Sequence, residues 1–567
     1  MTLAACGGNT TSNDEVSTDV DGSTPATAVE TATTDASDSE PVEELEVVED
    51  VVVIDEAEDV GPVSGGTLRY ALEADVDGLN PAASALTASG LNMANAVFDT
   101  LMAIDVDGVA VPYLAESVEP VDGDLALWRM QLRSGITFHD GTPFDAEAVK
   151  MNFDAQLASP LVGMAVRPFF PEADAATVVD ELTVEFRTLE PNAVFPATLT
   201  SQLGMMASPS WLVAAKADPT LNQQPVGTGA FVFESRSEDS FTRFVRNDSW
   251  WGGEVHLDAI EFLPVPDPSA RNDLAFTGNV EMLHSVDPAS VGDLSAEAEL
   301  QSVLDENGEE NLVMMNASAP PFDDLRVRQA LTLATPLQNV RDLIGVGVAR
   351  PADQMFIPES RYYNPDVKQA GDDPARAVEL AAEYCADVPD NCSDGKINIQ
   401  FRFPGGSVAS SREADILDEG WSDAFNVEFI ELAQDALVLE VAFGRYQVVT
   451  WRSFGGLEPL ESRHNLLCRT VSEGISLNFA RFCSEARDAL ILEAQASPDI
   501  DERALLWQQV SEDVRDAYTY VFTRHSPWLI AFGPDVRGVC DRTSPEGVAL
   551  RCVANGRTWF DSTWLSQ

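Results

Sequence analysis

The sequence predicts an α/β protein built from more than one packed lobe. Segments with helical and strand periodicity alternate, and "INIQFRF" (397–403) and "YQVVTW" (446–451) are typical of short strands. The chain has 567 residues, too many for one hydrophobic core. Its hydrophobic fraction of 45% suits a globular protein, and we find no run of about 18 apolar residues that could span a bilayer. We therefore expect two to three lobes of roughly 100–200 residues each.

The charge balance excludes one class of partner. The chain has 94 acidic and 34 basic residues, a net charge of -60. Because such a surface repels phosphate backbones, we expect no nucleic-acid binding. Solubility through self-repulsion explains the excess most simply, while solvation in high salt and a preference for cationic ligands remain alternatives.

Residues 7–64 differ from the rest of the chain. They include seventeen acidic residues and no Lys or Arg, and they offer few large side chains for a core. Like charges extend such a segment, so we expect a disordered acidic tether, with the folded body beginning near Ser64.

Cys6 stands immediately before this tether. Leu3-Ala4-Ala5-Cys6 resembles the processing box of bacterial lipoproteins, in which the cysteine thiol receives a diacylglycerol. The basic and apolar regions of a signal peptide do not precede it, so we expect translation to start upstream of Met1. Residues 1–6 are then the remainder of a lipoprotein signal with its lipobox, and Cys6 is the predicted lipidation site.

The other six cysteines form neighbouring pairs in the sequence. Six cysteines allow fifteen connectivities, but short local loops favour Cys385–Cys392, Cys468–Cys483 and Cys540–Cys552. Disulfides indicate an oxidising compartment outside the cytoplasm, whereas reduced thiols in a cytosolic protein are the alternative. The histidines show no metal-ligand spacing; they are His139, His256, His284, His464 and His525.

The stretch 127–157 shows a strand, a turn and a helix in order. Trp128, Met130 and Leu132 alternate with polar residues, as in a half-buried strand. Asp140-Gly141 is a turn signal, and Asp145 is placed to cap a following helix.

Two later segments predict helices. In the first, 324–344, an apolar stripe runs from Val327 to Ala334, and Thr335 is placed to cap a second helix that starts at Pro336. In the second, 499–518, Asp499 and Glu502 have capping-box-like spacing.

The stretch 127–157 also resembles a family signature, that of the extracytoplasmic solute-binding proteins of peptide, oligopeptide and nickel ABC importers (family 5). The matching residues are Trp128, Leu132, Arg133, Gly135, Ile136, Phe138, Asp140, Gly141, Pro143, Phe144, Ala146 and Val149. Further segments resemble family motifs in the same order: "GLNP" (78–81), "NAVFDTLMAID" (95–105), "PVGTGAFVFES" (225–235), "VRNDSWW" (245–251) and "PPFDDLRVRQAL" (320–331).

The resemblance implies a bilobed periplasmic-binding-protein-like fold (class II, with an extra subdomain), in which two lobes are joined by hinge strands. It implies a first lobe of residues 65–103, 226–315 and 526–567. Residues 104–225 would form the extra subdomain and residues 316–525 the second lobe.

The resemblance also implies the function. Such a chain would be the substrate-binding lipoprotein of an ABC importer. It would capture a peptide or similar solute outside the cytoplasm, as a monomer without cofactor, and deliver it to the membrane permease. A nickel or other metal-chelate receptor and a peptide-sensing receptor remain alternatives. A secreted hydrolase with paired carboxylates is a weaker alternative, because G-x-S-x-G and H-E-x-x-H motifs are absent from the sequence.

The resemblance places a ligand wall at "VVTWRSFGGLEP" (448–459), with an indole over the solute. Two further walls would come from segments 86–92 and 199–206, and a guanidinium on strand 397–403 would bind a carboxylate. The candidate ligand-binding residues are Ser89, Gly90, Leu91, Asn92, Gln202, Arg402, Thr450, Trp451, Arg452 and Phe454.

One position departs from the family pattern. Oligopeptide-binding members carry an Asp three residues after the wall Trp, where it holds the peptide's free amine. Position 454 is Phe here. A salt bridge to the amine at this position is therefore in doubt, unless Glu458 reaches the solute.

Overall fold

A computed structural model describes residues 61–566 except 85, 307–308, 406–407 and 455. The predicted lipidation site Cys6 and nearly all of the predicted tether lie outside these residues. Within the described part, no helix combines the length and apolarity needed to cross a membrane.

The strands of the described residues are, in chain order, β1 (Thr67–Leu72), β2 (Met102–Ile104), β3 (Ala110–Pro112), β4 (Ala115–Val121), β5 (Asp124–Leu132), β6 (Ala176–Asp180), β7 (Thr183–Arg187), β8 (Phe231–Ser237), β9 (Phe241–Arg246), β10 (Ala259–Pro264), β11 (Met282–Ser285), β12 (Gln301–Asp305), β13 (Glu310–Met315), β14 (Cys392–Ser393), β15 (Lys396–Pro404), β16 (Phe425–Leu432), β17 (Val448–Ser453), β18 (Tyr520–His525), β19 (Trp528–Phe532), β20 (Val536–Arg537), β21 (Val553–Ala554), β22 (Arg557–Thr558) and β23 (Trp564–Leu565).

The α-helices of the same residues are α1 (Ala88–Val97), α2 (Ala146–Ala158), α3 (Gly163–Val166), α4 (Pro209–Ala217), α5 (Pro268–Phe276), α6 (Pro288–Ala296), α7 (Leu325–Ala334), α8 (Leu337–Ile344), α9 (Pro374–Asp387), α10 (Val408–Trp421), α11 (Gln434–Ala442), α12 (Glu485–Ala496) and α13 (Ile500–Ala517). Short 3-10 helices lie at Arg167–Phe169, Phe195–Leu199, Gln202–Gly204, Pro219–Gln223, Pro389–Asn391, Pro459–Asn465 and Cys468–Thr470.

A seven-stranded mixed sheet has the order β12-β19-β11-β1-β10-β9-β8. Its central strand β1 runs parallel to both β10 and β11. Successive side chains of β1 pack on opposite faces: Tyr70 joins the core that includes α1, and Ala71 joins the core that includes α6. This alternation buries both faces of the sheet, as an α/β lobe requires.

A second mixed sheet has the order β14-β15-β17-β13-β18, and β16 pairs with β15. β15 and β17 are parallel, while β13 runs antiparallel to β17 and β18. Val313 packs into the core with α7, α9 and α10, and Leu312 packs into the core with α12 and α13. Together with the first sheet, this confirms the predicted mixed α/β fold with two lobes.

The two sheets are joined by two crossings of the chain. One lies between β12 and β13, and the other is the short connection between β18 and β19. β12 and β19 pair in the first sheet, and β13 and β18 pair in the second. The strand ends that flank the two crossings therefore lie side by side at the junction of the sheets, as in a two-stranded hinge.

A separate four-stranded antiparallel sheet, β4-β5-β7-β6, carries α2 on one face. Its strand β5 has the predicted alternation, with Trp128, Met130 and Leu132 buried. Asp145 caps α2 as predicted, since its carboxylate accepts from the Ala148 N–H at 2.9 Å.

One predicted cap is wrong by one residue. Thr335 ends α7 and does not cap α8, whose N-cap is Pro336. The Thr335 hydroxyl donates to the Leu331 carbonyl and accepts from Trp421 Nε1, so it is fully engaged in the lobe core.

All three predicted disulfides are present: Cys385–Cys392, Cys468–Cys483 and Cys540–Cys552. Each closes a short local loop. The second one encloses the 3-10 helix Cys468–Thr470 and the segment that follows it.

Candidate functional site

The carboxyl ends of parallel strands from both sheets point to the junction between them. β1 ends at Leu72 in the first sheet, and β17 ends at Ser453 in the second. In α/β sheets, ligands bind in the crevice beyond the carboxyl ends of the strands. A solute site is therefore expected near these two ends.

Arg452 lies where the second sheet meets the first. Its Nε is 2.6 Å from a carboxylate oxygen of Glu309. Its guanidinium lies 5.3 Å from the ring centre of Trp528, the first residue of β19 in the other sheet. Burial lowers the pKa of Arg452, but the charges of Glu309 and Glu73 together leave it above the usual value. The arginine is therefore held in its charged form beside both crossings.

Glu73 follows β1 and reaches the same junction from the first lobe. Its backbone N–H donates to His284 Nε2 at 3.0 Å. The His284 ring lies 5.5 Å from that of Trp528. Burial lowers the pKa of His284, and the charge of Glu73 is the largest opposing influence. Because Glu73 also acts on Arg452, the ends of β1 and β17 lie within electrostatic range of each other.

Trp451 and Arg402 share one face of the second sheet. Arg402 pairs with Val449 across the parallel strands β15 and β17, and Trp451 is two residues further along β17. Trp451 is half-buried and contacts Phe479 edge to face, with 5.5 Å between ring centres. Burial lowers the pKa of Arg402, whose nearest carboxylate, on Glu440, is 3.7 Å away. Within the described residues, the Arg402 guanidinium thus has this loose ion pair, a long hydrogen bond from Nη1 to Gln400 at 3.4 Å, and an Nε without a hydrogen bond.

Thr450 and Arg452 point to the opposite face of β17, because side chains alternate along a strand. Thr450 is half-buried and pairs with Val313. The strand therefore splits the predicted wall into two faces, one with Trp451 and one with Arg452.

Phe454 lies in the lobe core. Its side chain is 7% exposed and packs edge to face on Tyr520 at 5.1 Å between ring centres. Glu458 is also buried: it accepts from the Tyr362 hydroxyl at 3.1 Å and lies 3.8 Å from Arg503. Burial raises the pKa of Glu458. Both side chains are occupied within the second lobe.

The residues predicted from segment 86–92 lie on α1 in the first lobe. Ser89, Gly90 and Asn92 are buried and Leu91 is half-buried. Asn92 Nδ2 donates to the Gly556 carbonyl at 2.8 Å, so it ties α1 to the C-terminal hairpin β21–β22. Within the described residues, the buried Ser89 hydroxyl has no hydrogen-bond partner.

Gln202 lies beside this helix. Its Nε2 donates to the Ser84 carbonyl at 2.7 Å and to the Pro81 carbonyl at 2.9 Å. Its Oε1 accepts from the Leu86 N–H at 3.3 Å. The side chain therefore anchors the loop that leads into α1.

The four-stranded sheet also touches the second lobe. Gln495 of α12 donates from its side-chain Nε2 to the Pro191 carbonyl at 3.0 Å, and its backbone carbonyl accepts from the Ala193 N–H at 2.8 Å. Nearby, Arg469 and Glu190 form an ion pair at 2.7 Å. These contacts hold segment 190–193 against the second lobe, away from the two crossings.

The predicted site residues thus form two groups. One group lies on or beside β17 and includes Thr450, Trp451, Arg452 and Arg402. The other lies around α1 and includes Ser89 to Asn92 and Gln202. Sequence reasoning missed Glu73, Glu309 and Trp528, which flank Arg452. Only the position of Glu73 just after a strand and before the motif "GLNP" offered a signal.

The described residues hold no cluster of three or more His, Cys, Asp or Glu side chains suited to a metal ion. The site thus consists of aromatic side chains, guanidinium groups and carboxylates. Such a site suits an organic solute with charged ends.

Comparison with known proteins gives consistent matches. The family profile described as "Bacterial extracellular solute-binding proteins, family 5 Middle" matches residues 109–465, more than half of the chain. A probable di/tripeptide-binding protein of Pseudomonas aeruginosa is 26% identical over 512 residues, covering 84% of this chain and 93% of its own. Heme-binding protein A of Haemophilus influenzae is 26% identical, covering 75% of this chain and 81% of its own.

Among solved structures, the fold is similar to that of the periplasmic binding protein DppA from Helicobacter pylori in complex with the peptide STSA. The TM-score is 0.76 at 20% identity, and the match covers 89% of this chain and 99% of the other.

Proposed function

We propose a function for this chain, which belongs to the family 5 bacterial extracellular solute-binding proteins. It captures a peptide or similar small solute between its two lobes. It then delivers the solute chemically unchanged to the permease of an ABC importer. Members of this family are extracytoplasmic receptors of importers and not enzymes.

One observation carries the location of the solute. The carboxyl ends of β1 and β17 meet where two crossings join the lobes, and Arg452 and Trp528 come together there from opposite sheets. Closure of two lobes around a ligand is favourable when the closed state makes contacts that the open state lacks. A site between two crossings and two strand ends supplies such contacts.

The proposed division of the chain is the one expected from the sequence: 65–103, 226–315 and 526–567 for the first lobe, 104–225 for the extra subdomain and 316–525 for the second lobe. The connection between β18 and β19 supports the lobe boundary near 526. β13 (Glu310–Met315) lies in the second sheet, so we place the other boundary between Asp305 and Glu310 and not at 315. Within this division, Trp451 supplies an apolar wall, and Arg402 is the candidate partner of a solute carboxylate, because its guanidinium is only loosely paired.

Cys6 is the proposed site of a lipid anchor that holds the receptor at the outer face of the cytoplasmic membrane or in the periplasm. The acidic segment 7–64 would act as its spacer. The three disulfides support an oxidising location. Expression in a lipoprotein-processing bacterium tests the anchor: the wild type should partition into detergent and take up labelled palmitate, and Cys6→Ser should do neither.

A nickel or other metal-chelate solute remains the alternative to a peptide. A peptide-like solute fits better, because guanidinium, carboxylate and indole groups match its charged and apolar parts.

The experiment is mass spectrometry of the purified full chain and of the solute released from it on denaturation. A released di-, tri- or oligopeptide of unaltered mass after incubation supports the proposal. Peptide fragments would indicate a hydrolase, and a non-peptide solute would overturn the peptide assignment.

A further inference from the structure

Glu73 is a half-buried carboxylate at the junction whose side chain has no hydrogen bond or ion pair within the described residues. It follows β1 directly, and its backbone N–H contacts His284, whose ring lies 5.5 Å from Trp528. Trp528 in turn lies 5.3 Å from the Arg452 guanidinium. Glu73 is therefore linked through His284 and Trp528 to Arg452 of the second sheet.

We infer that Glu73, in the first lobe, binds the protonated amine of the solute. Position 454 in the second lobe, where an acid would hold this amine, is Phe in this chain. This inference rests on the proposed function, since it assigns one charged end of the captured solute. The matching ligand chemistry is a primary ammonium, from either a peptide's free N-terminus or a lysine side chain.

The surrounding cations leave the Glu73 carboxylate available. Arg452 already pairs with Glu309 at 2.6 Å. Arg271 is fully buried and donates to the His284 carbonyl at 3.1 Å and to the Val265 carbonyl at 2.6 Å. Burial lowers the pKa of Arg271, and Glu73 is the largest opposing charge. Arg452 and Arg271 therefore attract the Glu73 carboxylate at long range, but neither forms an ion pair or hydrogen bond with its oxygens.

The other nearby acids are occupied or exposed. Asp75 pairs with Arg236 at 2.9 Å and accepts from the Asp239 N–H at 2.6 Å. Asp77 is exposed in the same loop. Glu458, the acid that the sequence offered as a substitute, is held by Tyr362 and Arg503 inside the second lobe. Glu73 is thus the half-buried acid at the junction whose oxygens face no direct partner in the described part of the chain.

A peptide library tests the inference. The probe is a mixed library of di- and tripeptides, divided into three portions. The first keeps its free amines, the second is acetylated at N-termini and lysines, and the third is acetylated at N-termini alone. Peptides retained by the full chain are identified by mass spectrometry, and the affinity of a retained peptide is measured by calorimetry. The variants are Glu73→Gln, Glu73→Asp and the control Asp77→Asn, which removes an acid from the same loop.

We expect the wild type to retain peptides from the free-amine library but none from the fully acetylated one. Glu73→Gln should weaken a retained peptide at least about tenfold, because it loses a charge-assisted hydrogen bond. Glu73→Asp should retain part of the affinity, and Asp77→Asn should bind within about twofold of the wild type. Retention from the N-terminally acetylated portion identifies a lysine amine as the partner, and its loss identifies the N-terminus.

Two results would overturn the inference. Equal binding of free and fully acetylated peptides by the wild type excludes an amine contact and leaves the proposed function intact, whatever the folding of the variants. Wild-type affinity in a folded Glu73→Gln assigns Glu73 to balancing the charge of Arg271. Failure of the wild type to bind any peptide from either library overturns the proposed function itself.

Discussion

His525 Nδ1 lies 3.2 Å from a carboxylate oxygen of Glu310, and both side chains are almost completely buried. The two residues pair across β13 and β18, at the point where the chain enters and leaves the second lobe. Burial lowers the pKa of His525 to about 4 and raises the pKa of Glu310 well above its usual value. Burial thus favours the neutral form of both groups beside the hinge.

His525 should make the fold sensitive to acid. Its pKa of about 4 in the folded protein is below the value of about 6.5 expected for unfolded chains. Protons therefore bind preferentially to the unfolded state, and the free energy of unfolding should fall by up to about 3 kcal/mol between pH 6.5 and pH 4. In His525→Gln, the free energy of unfolding should no longer show this fall with pH. Urea unfolding at several pH values measures it.

The control for this experiment is His256→Gln, at a half-buried surface position that contacts Ser64. Glu310 contributes in the opposite direction, since its raised pKa favours folding at low pH, but it remains in both variants. If the free energy of unfolding of His525→Gln depends on pH as that of the wild type does, the imidazole does not change its protonation on unfolding.

Trp451→Ala should weaken solute binding more than it weakens the fold. The indole is half-buried, and its edge-to-face contact with Phe479 leaves part of the ring uncovered. We expect about a tenfold or greater loss of affinity by calorimetry, since aromatic side chains dominate binding sites. The melting temperature should stay within about 5 °C of the wild type.

The matched control is Trp564→Ala in the two-stranded sheet β20–β23, another half-buried indole far along the chain. It should bind the solute with wild-type affinity. If Trp451→Ala unfolds, or binds as well as the wild type, Trp451 is a core residue and the binding wall lies elsewhere.

Gln495→Ala should speed solute release. Gln495 is 2% exposed, and its Nε2 bond to the Pro191 carbonyl links the second lobe to the proposed extra subdomain. Loss of one such bond, worth about 1 kcal/mol, should raise the dissociation rate roughly fivefold if the two parts separate on opening. Stopped-flow tryptophan fluorescence measures this rate.

Gln509→Ala is the control, because Gln509 is exposed and donates only within its own helix α13. It should release solute at the wild-type rate. An unchanged rate in Gln495→Ala would mean that the subdomain and the second lobe move together.

The local elements of this fold could be predicted from the sequence because their signals are local. The alternation around Trp128 and the cap at Asp145 both appear as expected. The structure also explains why separate motifs occur together. Asp99 of "NAVFDTLMAID" accepts from the Trp251 indole N–H of "VRNDSWW" at 2.7 Å. His139 of the 127–157 signature contacts the Gly229 carbonyl of "PVGTGAFVFES" at 2.9 Å.

The site could be predicted only in part, because its geometry depends on contacts between distant segments. Thr450, Trp451 and Arg452 were identified, and alternation along β17 already separates Trp451 from the other two. What each face meets follows only from the pairing of β17 with β13 and from the approach of the first sheet. Trp528 and Glu309 reach Arg452 only because the strand ends that flank the two crossings lie side by side. The distances between segments along the sequence do not predict that arrangement, so Trp528 and Glu309 could not be identified from the sequence.

The Cys468–Cys483 disulfide should support both stability and binding. The bridge closes a 15-residue separation, so its removal in Cys468→Ser/Cys483→Ser should lower the free energy of unfolding by about 3 kcal/mol in the loop-entropy treatment. The enclosed segment carries Phe479, which packs on Trp451. A looser segment should therefore also reduce solute affinity, by severalfold in calorimetry.

Cys385→Ser/Cys392→Ser provides the comparison, because that bridge joins the last turn of α9 to β14 and closes a separation of only 7 residues. Its loss should cost about 2 kcal/mol of unfolding free energy and leave solute affinity unchanged. If both double variants bind with wild-type affinity, the Phe479 segment holds its position without the bridge. If both lose affinity equally, the effect reflects overall destabilisation and not the packing of Phe479 on Trp451.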